Sequence, residues 1–403
     1  MKAVFLGLGY IGLPTAAIAA SKGIDVVGID INPAVVETIN QGKIHIVEPE
    51  LDKVVKEVVE KKQFRATLQP EEADVFLIVV PTPFKQNHRA DITYVENATR
   101  SVIPFLKEEN LFIIESTSPV KTTEKMVSII FKERPELKDK IYVAYCPERV
   151  LPGNVIYELE NNDRIIGGIS PASSEKAATF YSRFVKGTLH RTDARTAEMC
   201  KLTENSSRDV QIAFANELSI ICEQNGINVW ELIELANKHP RVNILQPGCG
   251  VGGHCIAVDP WFIVSDYPEQ ANIIKQARET NDYKADWCAK KVIETCHIFE
   301  MQNNREPVVA CMGLSFKPNI DDLRESPAKY ITSRILSEAK AEVLAVEPNI
   351  ITHKTFSLVN YNEAYQQADI IVWLVRHREF LILSKKDSKK IELDFCGIKC
   401  NVI

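Results

Sequence analysis

Gly7-Leu8-Gly9-Tyr10-Ile11-Gly12 decides the reading of this 403-residue chain. An apolar run over residues 2–8 leads into it. Pro14-Thr15-Ala16-Ala17-Ile18-Ala19-Ala20 follows, with side chains small enough for a helix packed closely on a sheet. A second strand, Asp25-Val26-Val27-Gly28-Ile29-Asp30, arrives at the spacing of a βαβ unit. In such a turn the first glycine makes the bend, the second admits a pyrophosphate and the third lets helix pack on strand. Asp30 would accept ribose hydroxyls and repel a 2′-phosphate, which favours NAD over NADP. The expected cofactor contacts are Gly7, Gly9, Tyr10, Ile11, Gly12 and Asp30. A purely structural turn is the alternative.

Working outward, β-rich runs recur at residues 73–80, 111–116 and 141–145, separated by helix-length segments, the pattern of a buried parallel sheet. Residues 1–192 therefore read as one doubly wound domain. Thr82 and Thr117 stand just past strand ends, where ligands of open α/β sheets bind; helix capping is the competing explanation for each. Residues 195–224 contain no proline or glycine, and Met199, Leu202, Val210, Phe214, Leu218 and Ile221 recur near helical spacing. A helix of that length spans ~45 Å at ~1.5 Å per residue and bridges domains or subunits. Beyond residue 300 the early pattern returns: residues 308–314 echo 3–8, 341–347 echo 24–30, and 368–375 echo 73–80. Gly313-Leu314-Ser315-Phe316-Lys317-Pro318 lacks the second and third glycines, so this Rossmann-like copy binds something other than a dinucleotide. The fold class is α/β, with two Rossmann-like doubly wound domains (1–192 and 301–403) joined by a long helix within a helical region at 193–300.

Composition narrows the function. The charge of −6, with 48 basic and 54 acidic side chains and no basic cluster, argues against a nucleic-acid binder. No stretch reaches the ~18 apolar residues of a spanning helix, and the opening residues lack a signal peptide's apolar run, which predicts a cytoplasmic protein. In a reducing compartment the ten cysteines are not a disulfide framework. Gln246-Pro247-Gly248-Cys249-Gly250-Val251-Gly252-Gly253-His254-Cys255 sets two of them in a glycine-rich loop suited to wrapping a ligand. Cys255 is better placed for the start of a helix, where a thiolate is stabilised. A buried inert thiol is the alternative. Zinc at Cys249, His254 and Cys255 lacks a fourth ligand, so no metal is expected. On the long helix Lys201, Asn205 and Arg208 share one face, and a partly desolvated lysine there can act as acid or base.

These segments, with Val80-Pro81-Thr82-Pro83, Ser116-Thr117, Pro147-Glu148, Lys201-x-x-x-Asn205, Gly252-Gly253-x-Cys255-x-x-x-Asp259 and Gly313-x-x-Phe316-Lys317-x-x-x-x-Asp322-x-Arg324-x-Ser326-Pro327, resemble the UDP-glucose/GDP-mannose dehydrogenases in order and over nearly the whole chain. The stretch from Tyr145 to Gly153, Arg195-Thr196-Ala197-Glu198 and His239-Pro240-Arg241-Val242-Asn243-Ile244-Leu245 resemble the branch acting on UDP-N-acetyl-hexosamines. Arg149 and Val258 stand where glucose-type members carry an aromatic and a lysine.

The resemblance implies a four-electron oxidation by two NAD molecules, with UDP-N-acetyl-D-mannosamine as substrate and UDP-N-acetyl-D-glucosamine as the alternative. It makes Cys255 the nucleophile of a thiohemiacetal and thioester, with Lys201 and Asn205 stabilising oxygen charge and Asp259 orienting a water or Lys201. Glu148 and Thr117 become candidates for activating the hydrolytic water. It assigns substrate contacts to Arg149, Val150, Arg208, His239, Arg241, Gly252, Phe316, Lys317 and Arg324, besides Lys201 and Asn205. Surface salt bridges are the alternative for Arg241 and Arg324. A homodimer with arginines crossing its interface is also implied.

Cys249 departs from a usual proline, and a Cys249–Cys255 bond under oxidation is an expectation of that placement. Arg376-His377 and Asp394-Phe395-Cys396-Gly397 depart at the C-terminal domain. A non-catalytic NAD-binding protein and a two-electron alcohol dehydrogenase are the competing classes; the thiol, Lys201 and Asn205 weigh against both.

Overall fold

The computed structural model describes residues 1–85, 88–150, 153–385 and 389–400. Leu151 and Pro152 of the motif at 145–153, and the last three residues of the domain expected over 301–403, lie outside the described residues. The described chain divides into two compact units, Met1–Thr203 and Glu204–Ile403.

In the first unit the order is β1 (Lys2–Leu6), α1 (Gly12–Ser21), β2 (Asp25–Ile29), α2 (Pro33–Asn40), α3 (Leu51–Glu60), β3 (Phe64–Thr67), β4 (Val75–Ile78), α4 (Thr93–Val102), β5 (Leu111–Ile114), α5 (Thr122–Glu133), β6 (Tyr142–Tyr145), α6 (Val155–Asn161), β7 (Arg164–Gly168), α7 (Pro171–Tyr181) and β8 (Leu189–Asp193). The strands form one sheet in the order β3-β2-β1-β4-β5-β6-β7-β8. Val4, Phe5, Phe76, Leu77, Phe112 and Ile113 are fully buried, because helices cover both faces of the sheet and its strands need no polar alternation. The order reverses between β1 and β4, which puts the loops after these two strands at the topological switch point.

β1, β2, β4, β5 and β6, the strands read from the sequence, pair in parallel as expected, and the reversal comes at a strand the sequence did not reveal. β7 runs antiparallel to β6, pairing Ala144 with Gly168 and Tyr145 with Gly167. The reversal places Arg164, the first residue of β7, beyond the carboxyl end of β6, among the loops that follow β5 and β6.

α8 (Ala194–Gln224), 31 residues, leaves the first unit. Its Glu198 is fully buried and accepts from Lys121 N at 2.6 Å and Thr123 N at 2.8 Å, capping α5, whose own cap residue makes no side-chain bond. Phe214 and Ile221, expected on the apolar face, are 53% and 49% exposed. The interior positions around them go to Ala213, Ala215, Asn216 and Ser219 instead.

The second unit continues with α9 (Val229–Ala236), α10 (Asp259–Asp266), α11 (Asn272–Asn303), β9 (Val308–Met312), α12 (Pro327–Glu338), β10 (Glu342–Val346), α13 (Tyr361–Gln367), β11 (Ile370–Trp373), α14 (Leu381–Ser384) and β12 (Ile391–Asp394). Its four strands are parallel in the order β10-β9-β11-β12. The 32-residue α11 was readable only as part of a helical region, although it too lacks proline and glycine and buries Ala277, Ala285, Cys288, Ala289, Val292 and Cys296 at helical spacing.

Within this unit α8 and α11 meet through buried polar groups. Arg278 donates to Asp209 at 2.7 Å and Asp282 at 2.5 Å. Asn281 reaches Asp209 at 2.8 Å and accepts from Asn216, whose side-chain oxygen holds Gly248 N at 2.9 Å. Burial raises the Asp209 carboxyl, and the Arg278 guanidinium opposes the shift. Removing one member of such a pair strands the other without water. Arg278→Met should lower stability by about 3–5 kcal/mol. Asp209→Leu combined with Arg278→Met should restore more than half of it, as read from chemical-denaturation midpoints.

Candidate active site

Gly7 has φ 96°, and a Cβ there would stand 2.3 Å from Val79 O; one at Gly12 would stand 1.9 Å from Gly7 O. The turn leaving β1 therefore lies directly against the end of β4, and both positions exclude any side chain. A Cβ on Gly9 meets nothing within 4 Å, so that glycine keeps open the space a ligand needs. α1 starts at Gly12 without a side-chain cap or an acid in its first turn, which leaves its positive end for a phosphate. Asp30 accepts from Leu8 N at 3.2 Å and Asn32 N at 2.9 Å, which fixes its carboxylate at the end of β2. Tyr10 is 45% exposed at the turn, beside Ile11. The residues fit an adenine dinucleotide.

Neither Thr82 nor Thr117 caps a helix. The Thr82 hydroxyl donates to Thr117 O at 2.6 Å, and Ser116 Oγ bridges to Val80, accepting from its N–H at 2.9 Å and donating to its carbonyl at 2.7 Å. These bonds tie the loops after β4 and β5 together at the edge where Asp30 also stands. Glu148 follows β6, almost wholly buried. Its oxygens accept from Arg149 N at 2.7 Å and Arg164 at 2.5 Å, while its backbone carbonyl accepts from Lys201 Nζ at 2.8 Å. The Arg149 guanidinium donates to Asp163 O at 3.3 Å, and Val150, next in the loop, packs half-buried on the core.

In the second unit Asn205 donates to Asp259 at 2.6 Å. Asp259 opens α10, and its N–H donates to Cys255 O at 2.8 Å. Cys255 thus sits one turn ahead of the helix instead of on its first residue, with a half-buried thiol. Arg208, also on α8, is exposed. Gly252 and Gly253 are glycines for a reason the sequence did not disclose. A Cβ on Gly252 would meet Glu325 O at 2.5 Å, one on Gly253 would meet the Phe316 ring at 2.9 Å, and Gly253 N is spent on Arg324 O at 3.0 Å. The loop is packed against the segment at 316–327, and its expected free N–H groups are partly used within the protein.

The remaining candidates separate. Phe316 lines a cavity of about 240 Å³ with Trp230, Gln246, Cys249, Arg376 and Gly397, all in the second unit. Lys317 beside it is exposed. Arg324 forms the salt bridge that was its alternative, gripping Asp322 at 2.6 Å and 3.0 Å. His239 and Arg241 stand exposed in the loop after α9, where Arg241 N donates to His239 Nδ1 at 3.3 Å.

Cys249 is buried, its thiol 3.5 Å from Leu374 O, and burial pushes it up to about 12. A thiol so placed is held in its protonated form, which disfavours Cys249 as the attacking partner in the expected Cys249–Cys255 bond. Among the described residues no three His, Cys, Asp or Glu side chains could hold a metal ion, and no helix is long and apolar enough to cross a membrane.

The second Rossmann-like copy is closed by its own side chains. Gly313 keeps the turn at φ 102°, but Glu347, the counterpart of Asp30, is buried. It accepts from Leu314 N and Ser315 N at 2.9 Å each and lies 3.1 Å from His377 Nε2. Burial alone would raise its carboxyl; His377 and the backbone donors hold it down to about 2. His377, read as a departure, is the saturating partner.

A turn open to NAD beside a second, closed Rossmann copy is the architecture of a nicotinamide-dependent dehydrogenase. Family models agree along the chain: the UDP-glucose/GDP-mannose dehydrogenase NAD binding domain matches residues 1–185, the central domain 195–283 and the UDP binding domain 310–396. The UDP-N-acetyl-D-mannosamine dehydrogenase of Escherichia coli is 54% identical over 395 residues, covering 94% of each chain. An NDP-N-acetyl-D-galactosaminuronic acid dehydrogenase of Ralstonia nicotianae is 54% identical over 387 residues, covering 93% of this chain and 90% of that protein. The solved UDP-D-ManNAc dehydrogenase of Pyrococcus horikoshii superposes with a TM-score of 0.89 at 40% identity, over 99% of this chain and 96% of that one. The chain belongs to the UDP-glucose/GDP-mannose dehydrogenase family and is an NAD-dependent oxidoreductase of UDP-sugars.

The two glycine positions separate binding from folding. Gly12→Ala should lower the thermal midpoint by several degrees and abolish NAD binding. Gly9→Ala should leave the midpoint within about 1 °C and weaken NAD at least tenfold in a fluorescence titration, because its Cβ enters space that only the ligand uses.

Proposed function

We propose that the protein oxidises UDP-N-acetyl-D-mannosamine to its uronate, with Cys255 as the covalent nucleophile. The observation that carries the reading is the Cys255–Asp259–Asn205 arrangement, where Asn205 donates to the buried Asp259 carboxylate that opens α10 and the Asp259 N–H holds the backbone of Cys255, whose thiol is half-buried. NAD held at Gly7, Gly9, Gly12 and Asp30 supplies the two hydride acceptances, one molecule per oxidation.

The alcohol loses a proton toward Lys201 and becomes an aldehyde. The Cys255 thiolate adds to that carbonyl, and Asn205 and Lys201 stabilise the oxygen charge of the thiohemiacetal. The second oxidation leaves a thioester. Glu148, in the loop where Thr117 is the other candidate, takes a proton from water, and hydroxide addition expels the Cys255 thiolate and releases the carboxylate. One alcohol, one water and two NAD give one carboxylate, two NADH and three protons. Asp259 holds Asn205 in place.

Arg149, Val150, Arg208, His239, Arg241, Gly252, Phe316, Lys317 and Arg324 are the proposed substrate contacts. Guanidinium forks suit a diphosphate and a carboxylate, and the cavity beside Phe316 suits the nucleotide. For Arg324 this requires Asp322 to give up its grip. The helical region at 193–300 separates the two Rossmann-like domains, and exposed Phe214 and Ile221 on α8 offer an apolar face for the second copy of a homodimer. A reducing cytoplasm keeps the Cys255 thiol free. The N-acetyl-D-mannosamine assignment draws on the names of the Escherichia coli and Pyrococcus horikoshii proteins. The Ralstonia protein's name supports a second reading, a 6-dehydrogenase of an N-acetyl-galactosamine nucleotide.

Purified protein incubated with NAD and each UDP-N-acetyl-hexosamine should yield two NADH per uronate, fastest with the manno sugar. Cys255→Ala should lose uronate formation by at least a thousandfold while still binding NAD. One NADH per sugar, or unaltered turnover in Cys255→Ala, would overturn the thioester route.

A further inference from the structure

Behind Glu148 lies a buried set of charges that the reaction above does not use. Arg164, 4% exposed at the head of β7, donates through Nη2 to Glu148 at 2.5 Å and brings Nη1 within 3.5 Å of Glu115 Oε1. Glu115 follows β5 and is 3% exposed. Tyr181 of α7 donates to its Oε1 at 2.5 Å, and the Tyr181 ring carries the Arg164 guanidinium 4.6 Å from its centroid. Glu115 Oε2 has no hydrogen-bond partner among the described residues. Two carboxylates thus share one cation in a dry pocket, an arrangement in which both cannot stay ionised at little cost.

We propose that Arg164 and Glu115 are positioning residues for Glu148, and that the proton on Glu115 sets how firmly Arg164 holds the Glu148 carboxylate and so how readily it turns to the hydrolytic water. The inference rests on the reading of Glu148 as the base for thioester hydrolysis. With Glu115 protonated, Arg164 is committed to Glu148 and keeps its oxygens occupied. With Glu115 ionised, the guanidinium is divided between two carboxylates and its hold on Glu148 loosens.

The groups around Glu115 leave it as the one that titrates. Burial, opposed by Arg164 and reinforced by Glu148, raises its carboxyl to about 7. Tyr181 on α7 and Cys146 after β6, which also face it, are both pushed up by burial and stay protonated. Arg164 stays charged, and Lys201 from α8 donates to the Glu148 backbone carbonyl. Thioester breakdown should therefore accelerate as the pH rises through about 7.

The test follows breakdown of the Cys255 acyl-enzyme in single turnovers between pH 6 and 8, with hydroxylamine trapping of the thioester. Glu115→Gln mimics the protonated state at every pH. It should flatten the profile and leave the rate at pH 8 about three- to tenfold below the natural enzyme, with KM for the UDP-sugar unchanged.

A second readout needs no activity. A carboxyl raised from 4.5 to about 7 on folding makes the natural protein lose stability as pH climbs between those values, and Glu115→Gln should remove that slope. Tyr181→Phe, which deletes a donor to the ionised carboxylate, should move the inflection upward by about one pH unit and serves if Glu115→Gln does not fold. A Glu115→Gln profile superimposable on the natural one, or an inflection unmoved in Tyr181→Phe, overturns the proposal, provided Glu148→Gln stops breakdown. Unimpaired breakdown in Glu148→Gln instead overturns the assignment of Glu148 beneath it.

Discussion

The turn between β1 and α1 passes so close to the end of β4 that a single carbon atom at Gly7 or Gly12 would overlap a backbone carbonyl. Much of the first unit follows from that contact. It holds α1 tightly on the sheet, which is why the helix begins Gly-Leu-Pro-Thr-Ala-Ala and buries nine of its ten residues. It also aims the uncapped end of α1 at the switch point, where Thr82, Thr117 and Asp30 assemble. In the second unit the same turn recurs at Gly313, where a Cβ would stand 2.5 Å from Val375, yet the site beside it is filled. Steric identity with opposite polarity divides the labour. Asp30 spends its oxygens on two backbone donors and remains half-exposed, whereas Glu347 is enclosed by backbone, Asn349 and His377.

A chain of buried side chains performs the corresponding service for the loop of the proposed nucleophile. Asp209, Arg278, Asn281 and Asn216 link α8 to α11 and end on Gly248 N, the first glycine of the loop that leads to Cys255. Apolar packing at these positions would tolerate sliding of one helix past the other. Directional bonds with buried, mutually dependent partners do not, so the register of two helices of 31 and 32 residues is transmitted to the loop. The loop's other wall is set by contact, since Gly252 and Gly253 leave no room between backbone and Phe316. The position of the loop is thus fixed from both sides.

What could be read from the sequence was what depends on short-range pattern. Buried parallel strands appear as continuous apolar runs, and the glycine turn, Asp30 and the helix around Lys201 and Asn205 follow from spacing alone. The direction of β7 did not, because Arg-Ile-Ile-Gly-Gly reads the same for either pairing and the reversal depends on the connection through α6. Periodicity marked Phe214 and Ile221 as part of a helix but could not say whether they face the core or an apolar surface. The glycine loop was read as wrapping a ligand, since nothing local signals that Phe316 and Glu325 occupy the space. Arg164 escaped notice for the same reason. Its partners lie 16 and 49 residues away in the chain and meet only because one strand turns back.

Ten cysteines in one chain raise the question of what sets Cys255 apart for the proposed chemistry. Burial answers most of it. Apolar surroundings push Cys249 and Cys311 up to about 12 and Cys296 to about 11, and raise Cys146, Cys288 and Cys396 as well, so none of these supplies thiolate near neutral pH. Cys400, less buried, is also raised, with burial first and Asp394 second. Cys255 differs in place more than in type. It stands half-buried where backbone N–H groups gather at the entrance of α10, in a segment whose glycines and buried asparagines leave it little freedom to move. Desolvation silences seven of the other nine thiols, and Cys255 is set apart from the remaining two, buried Cys222 and half-buried Cys200 on α8, by the glycine loop that leads to it.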